Sequence, residues 1–213
     1  MPTFSRDSGF SALAQVEAYW EALRGTRLMP KRSDIDPRGI EAALEHTFIL
    51  ERVAPGMARL RIAGSHLSDL MGMEVRGMPI TSFITPDGRR QVSDTLEEVF
   101  QRPALCELRL AAEAAFDKPR MDARMLLLPL KSDLGDVSRV LGCLMANGDI
   151  GRSPRRFDVV GSKIRPITAP ASLPDGTDTS AVAPAGFAER ATPFAGATQR
   201  TRVPYLRVVK NEE

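Results

Sequence analysis

Along the first stretch of the chain, Phe10, Leu13, Val16, Trp20 and Leu23 recur three or four residues apart, with Gln15, Glu17, Glu21 and Arg24 on the opposite side. This stripe predicts an amphipathic helix over residues 9–24, with Asp7 or Ser8 as its cap and Gly25 just past its end. Such a helix must hide its apolar side, either on the chain's own sheet or in a seam between two copies. Trp20 and Leu13 are therefore candidate interaction residues as well as candidate core, and a homodimer through this helix is one expectation.

After the polar loop that follows Pro30, Asp36-Pro37 reads as N-cap and first helical residue, since proline's fixed φ and missing N–H suit that position. Ile40 and Leu44 then share a side, which predicts a short helix ending near Glu45. Asp34 and Asp36 read as capping and loop-bonding carboxylates. Alternation sets in at TFILERV (47–53), turns at Ala54-Pro55-Gly56 and resumes with Leu60 and Ile62 between Arg59 and Arg61, the signature of an antiparallel hairpin. From Ser65 the period becomes helical: Leu67, Leu70 and Met71 on one side, ended by Gly72. A turn of helix at ITSF follows. A longer helix over 87–101 carries Val92, Leu96, Val99 and Phe100, and Pro103 stops it. Three more strands are predicted in ALCELRLAAE, RMDARMLLLPL and SRVLGCLMANGD, joined by hairpin loops at AAFDKP and KSDLGD. From Leu126 on they are apolar on both faces, so the sheet needs cover on its second face, and the first helix is the available cover. The fold class is α+β: a five-stranded antiparallel sheet with helices on one face and an N-terminal amphipathic helix.

Composition then divides the chain. Residues 1–150 carry 19 basic and 21 acidic side chains, whereas 151–213 carry 10 and 6, so the second part is basic. In residues 166–198, 24 of 33 are Pro, Ala, Thr, Ser or Gly, too little apolar surface to offset the entropy of ordering. The expected organisation is a helical lead-in over 1–45, a core over 46–150 and a mostly disordered basic tail over 151–213. Near its end VPYLRVVK is apolar again, which makes Tyr205 a further candidate interaction residue. A net charge of +2 over 213 residues argues against a nucleic-acid partner. No run approaches the roughly 20 apolar residues of a membrane span. The N-terminal MPTFSRDSGFSALAQ has no apolar signal core, and the two cysteines lie inside apolar runs. The expected location is the cytoplasm.

The segment RIAGSHLSDLMGMEVRGMPITSFITPDGRRQVSDTLEEVF resembles the core of the PAS domain: a strand ending near a small residue, a helix closing on Leu-x-Gly, a second Gly, and Pro-Asp opening the long helix. Upstream, WEALRGTRLMPKRSDIDPRGIEAAL is similar to the lead-in of the small stand-alone PAS proteins of proteobacteria. Together the two cover about residues 12–150. The resemblance implies a sensory or signalling module that is not an enzyme and regulates a protein partner in trans, such as a kinase of a histidine kinase pathway. It also implies a cavity between sheet and helices, in which Leu60, Ile62, Leu67, Met71, Phe83, Leu96, Phe100, Leu108 and Met125 are the candidate lining and an apolar metabolite the candidate ligand.

No cofactor is expected. A haem-binding PAS domain needs an axial His on the helical side, and only His46 and His66 are present, the latter reading as a surface or capping-region histidine. A photoactive flavin PAS domain resembles Asn-Cys-Arg-Phe in its helical segment, whereas Cys106 and Cys143 both lie in strands and read as small core residues. Metal-ligand spacings, a phosphate loop and a nucleophile elbow are absent from the sequence. Arg89-Arg90 and Arg155-Arg156 are basic pairs too sparse for a nucleic-acid footprint.

Overall fold

A computed structural model describes residues 10–112 and 114–168. Helix α1 (Ser11–Arg24) buries Ala12, Leu13, Val16 and Trp20, and Arg24 lies over the Trp20 ring at 5.6 Å. Asp7 and Ser8, the expected caps, fall outside the described residues. The Asp36-Pro37 cap forms as predicted: Asp36 Oδ1 accepts from the Arg38 N–H at 3.0 Å. Asp34 serves the preceding loop, accepting from the Lys31 N–H and pairing with Arg27 at 2.8 Å. The Lys31 N–H chiefly holds its carboxyl below the ordinary range against the opposing effect of burial, and Arg27 adds to this.

The segment Pro37–His46 is a 3-10 helix kinked at Ile40. With three residues per turn, Ile40 and Ala43 share the buried side, and Leu44 turns out to 43% exposure. The expected pairing of Ile40 with Leu44 assumed an α-helical period. Tyr19 fastens this segment to α1: its hydroxyl donates to the Asp36 carbonyl at 2.9 Å and accepts from the Asp36 N–H at 2.8 Å.

The hairpin β1 (Thr47–Ala54) and β2 (Met57–Ala63) leads into α2 (Ser65–Met71), which Gly72 ends in the left-handed conformation at φ 70°. Two 3-10 turns, Ile80–Phe83 and Pro86–Gly88, precede α3 (Arg89–Gln101), whose buried side is Val92, Thr95, Leu96, Val99 and Phe100. Strands β3 (Ala104–Ala112), β4 (Met121–Lys131) and β5 (Val137–Asn147) follow as a meander.

A sixth strand, β6 (Asp158–Pro166), departs from the expected five. It pairs antiparallel with β3 from Ala104↔Pro166 to Ala111↔Asp158, giving the sheet order β2-β1-β5-β4-β3-β6. The whole strand lies in the 151–213 segment expected to be a mostly disordered tail, and only Pro166 falls in its compositionally biased part. None of its residues is fully buried, and only Val159 and Ile164 pack on the core, so it shows no continuous apolar stripe and is held largely by backbone hydrogen bonds to β3. Residues from 169 onward, including VPYLRVVK, lie outside the described part.

The sheet separates two cores. On one face α2, α3 and the 3-10 turns close over Phe48, Leu50, Leu60, Leu108 and Met125. On the other, α1 covers Ile49, Leu126, Leu128, Leu141 and Cys143. The burial of β4 shows why both layers are needed: it alternates from Met121 to Arg124, and is buried on both faces from Met125 to Leu130. Trp20 is fully buried and its indole N–H donates to the Pro129 carbonyl at 3.0 Å, so an aromatic body and a polar tip both tie α1 to β4. Replacing Trp20 with Ala should lower unfolding free energy by about 3–5 kcal/mol in urea titration. A loss under about 1 kcal/mol, the size expected of an exposed site, would mean that α1 is not the cover of this face.

Candidate functional site

Eight of the nine expected cavity residues, Leu60, Leu67, Met71, Phe83, Leu96, Phe100, Leu108 and Met125, are buried together in the core between the sheet and α2–α3. The ninth, Ile62, is a correction: it is 49% exposed and lies on the opposite face. The cause is a β-bulge. Leu50 pairs with Leu60, but its neighbour Ile49 pairs with Ile62, so Arg61 is an extra residue in β2. One inserted residue reverses the alternation beyond it. Ile62 therefore joins Ile49 on the α1 side of the sheet.

There it borders an open apolar recess of about 530 Å³, which Ile35, Pro37, Leu44, Ile49 and Leu141 also line, with Arg32 and Glu45 at its rim. The kinked 3-10 segment forms one wall and brings Leu44 to it. Gly64 allows the closure behind: a Cβ there would lie 2.1 Å from the Glu45 carbonyl oxygen, so no larger residue fits between the end of β2 and this segment. Beyond Ile49 along β1, Glu51 stands between Arg61 of β2 and Arg139 of β5 and pairs with both. Burial raises the Glu51 pKa, and the two guanidiniums outweigh that and hold it below the ordinary range. Half-exposed aliphatic side chains beside an ionic bar make the recess a surface for an apolar group with a polar border.

The interaction candidates fall elsewhere. Trp20 is fully buried and Leu13 is 6% exposed, so the stripe that would have formed a dimer seam is used on the chain's own sheet. Tyr205 lies outside the described residues. The residues now singled out, Ile35, Leu44, Ile49 and Leu141, were not found from sequence. Their signal is structural: a 3-10 period in place of an α period and a bulge at Arg61, neither of which leaves a mark in hydropathy.

His46 and His66, next in sequence to the lining residues Glu45, Thr47 and Ser65, meet edge to face with ring centroids 4.6 Å apart. His46 Nε2 is 3.2 Å from Glu45 Oε1, and His46 Nδ1 is buried without a hydrogen-bond partner. His66 Nε2 accepts from the Ala146 N–H at 3.3 Å, so that nitrogen is unprotonated. Among the described residues no group of three His, Cys, Asp or Glu side chains is placed to hold a metal. Cys106 and Cys143 face opposite cores, and burial pushes both thiols up to about 12, which leaves them unreactive near neutral pH. The described residues include no helix long and apolar enough to cross a membrane.

The sequence model of the PAS domain family matches residues 9–145, and the chain belongs to that family. PAS domains are in general signalling and sensory modules rather than catalysts. Among solved structures the chain is similar to the light-state blue-light photoreceptor Aureochrome1 LOV, at 12% identity over 53% of this chain and 88% of that one, with a TM-score of 0.37. The PAS domain of BvgS from Bordetella pertussis is similar at 15% identity over 53% and 86%, TM-score 0.36. An RNA-binding light-oxygen-voltage receptor is similar at 18% identity over 55% and 35%, TM-score 0.35. No curated protein matches the chain.

His66 gives the fold a pH dependence. Burial chiefly, and the neighbouring His46, lower the His66 pKa, and Glu45 and Asp69 oppose this. The unfolded chain takes up a proton at this residue near its ordinary 6.5, whereas the folded chain does so only at lower pH. Stability from this group is therefore complete above about pH 6.5 and declines as pH falls below it. Urea midpoints measured between about pH 5 and 8 should fall on the acid side, and His66→Asn should flatten that decline. Parallel curves for the two proteins would rule out His66 as its source.

Proposed function

We propose that this chain is a non-enzymatic PAS signalling module that works in the cytoplasm by binding a protein partner in trans, with the recess beside Ile62 as the contact. The observation that carries this reading is the recess itself, where the α1 cover ends and Ile62 and Leu44 remain about half exposed. The occupant is an apolar segment of the partner, seated against these aliphatic side chains with Arg32, Glu45 and the Arg61–Glu51–Arg139 bar as its polar border. Val53, the unpaired residue at a second register shift of β1 between Arg52 and Ala54, is also exposed near this end of the hairpin. A signalling kinase is the partner class that PAS membership supports.

A second reading has one observation in its favour. The recess volume lies inside the roughly 300–1,000 Å³ range of small-molecule sites, so an apolar metabolite fits there. This space is the recess on the α1 face of the sheet.

Affinity capture from lysate of the source cells, run in parallel with wild type and Ile62→Glu, tests the proposal. The substitution adds a charge at an exposed position and should leave the melting temperature nearly unchanged. A protein retained by wild type and lost by the variant is the expected result. Retention of the same partners by both proteins would place the contact elsewhere. Native mass spectrometry of freshly purified protein separates the second reading: a retained apolar mass that Ile62→Glu abolishes would replace a protein occupant with a small one.

A further inference from the structure

The basic pair Arg155-Arg156 takes on a definite setting once the chain folds. Arg155 is 1% exposed. Its backbone N–H donates to the Leu70 carbonyl at 2.7 Å, and its guanidinium donates to the carbonyls of Ile150 at 2.7 Å and Pro119 at 2.5 Å. Among the described residues no carboxylate forms an ion pair with it. The two carbonyl dipoles stabilise this buried guanidinium in part, and its charge has no counter-ion among the described residues.

Arg155 also lines a polar recess of about 170 Å³ with Thr85, Lys118, Pro154, Arg156 and Asp158. The Lys118 ammonium is held over it by the Pro154 carbonyl at 2.9 Å. Arg156 is exposed and has no hydrogen bond or ion pair among the described residues. Asp158 is the opposing charge, and the Thr85 hydroxyl is engaged with it. Among the described side chains that line the recess, three cations stand against one carboxylate, and one of the cations is out of water.

From this we infer that the recess binds a dianionic oxyanion of the phosphate-ester type. Arg156 and Lys118 donate to it directly, and Arg155 supplies charge from behind. A dianion matches the excess, whereas a carboxylate leaves one charge over. The volume is several times the roughly 30 Å³ share of a liquid water, enough for one oxyanion group. The site joins three segments: Thr85 ahead of α3, Lys118 in the β3–β4 loop, and the approach to β6. An oxyanion there stabilises the folded arrangement by mass action.

The test is titration of the full chain with inorganic phosphate at constant ionic strength, read by calorimetry and melting temperature, with sodium acetate and sodium chloride as comparison salts. Saturable phosphate heat is expected, with a rise in melting temperature beyond that given by either comparison salt. Arg156→Ala should weaken phosphate binding by roughly ten- to a hundredfold, the loss of one charged hydrogen bond. Arg76→Ala, at an exposed arginine elsewhere, should leave it unchanged. Glycerol 3-phosphate and a phosphoserine peptide, compared at equal concentration, tell a metabolite from a phosphoprotein as carrier, and tighter binding of either that is lost with Arg156→Ala supports the site. Equal responses to phosphate and chloride, or unchanged phosphate affinity in the Arg156 variant, would overturn it.

Discussion

Strands β4 and β5 are apolar on both faces, and the rest of the architecture answers the need to cover each. Met125 and Leu144 belong to the core under α2 and α3; Leu126, Leu128, Leu141 and Cys143 belong to the core under α1. The segment between β2 and β3 supplies the first cover from nearby in the chain. The second has to come from elsewhere, and α1 provides it. The Trp20 indole on the Pro129 carbonyl and the Tyr19 hydroxyl on Asp36 fix where that cover lies. Apolar burial at about 25 cal/mol per Å² sets the scale of both layers, and these few polar contacts decide their position.

A single helix of fourteen residues does not cover the outer face of six strands. Where α1 stops, the β1–β2 end keeps an apolar recess, and the bulge at Arg61 adds Ile62 to it. At the other end the exposed side of β3, β4 and β6 carries charge instead, with Glu107, Arg109, Arg124 and Lys163 around a second hollow. The edges are treated differently as well. Gly77 and Met78 take up backbone groups of Leu60 along the β2 edge. β6 presents Lys163, Arg165 and a terminal Pro166, side chains that discourage further strand pairing. The apolar opening of the sheet surface is thus beside Ile62, and the opening at the other end is charged.

Much of this was legible in the sequence because it rests on local patterns. The stripe from Leu13 to Trp20, the Asp36-Pro37 cap, the Gly72 stop and the long helix before Pro103 each obey a rule that spans a few residues, and the order of these elements carries the PAS resemblance. What escaped depends on events that hydropathy does not record. Leu44 left the buried side because Pro37–His46 winds as a 3-10 helix. Ile62 left it because one residue of β2 is unpaired. β6 was missed because Val159 and Ile164 are only partly covered and Gly161-Ser162 interrupts them, so an edge strand reads like the start of a tail. Eight of the nine expected cavity residues are buried in one core, and the open recess beside the ninth, Ile62, lies on the other side of the sheet.

The central claim is that the bulge at Arg61 sends Leu60 and Ile62 to opposite faces, one into the core and one into an open recess. Methyl-resolved NMR with a soluble paramagnetic agent tests this directly. The account predicts strong broadening of the Ile62 and Leu44 methyl signals, with those of Leu60 protected. Equal protection of Leu60 and Ile62 would contradict it, since both would then face the same buried side.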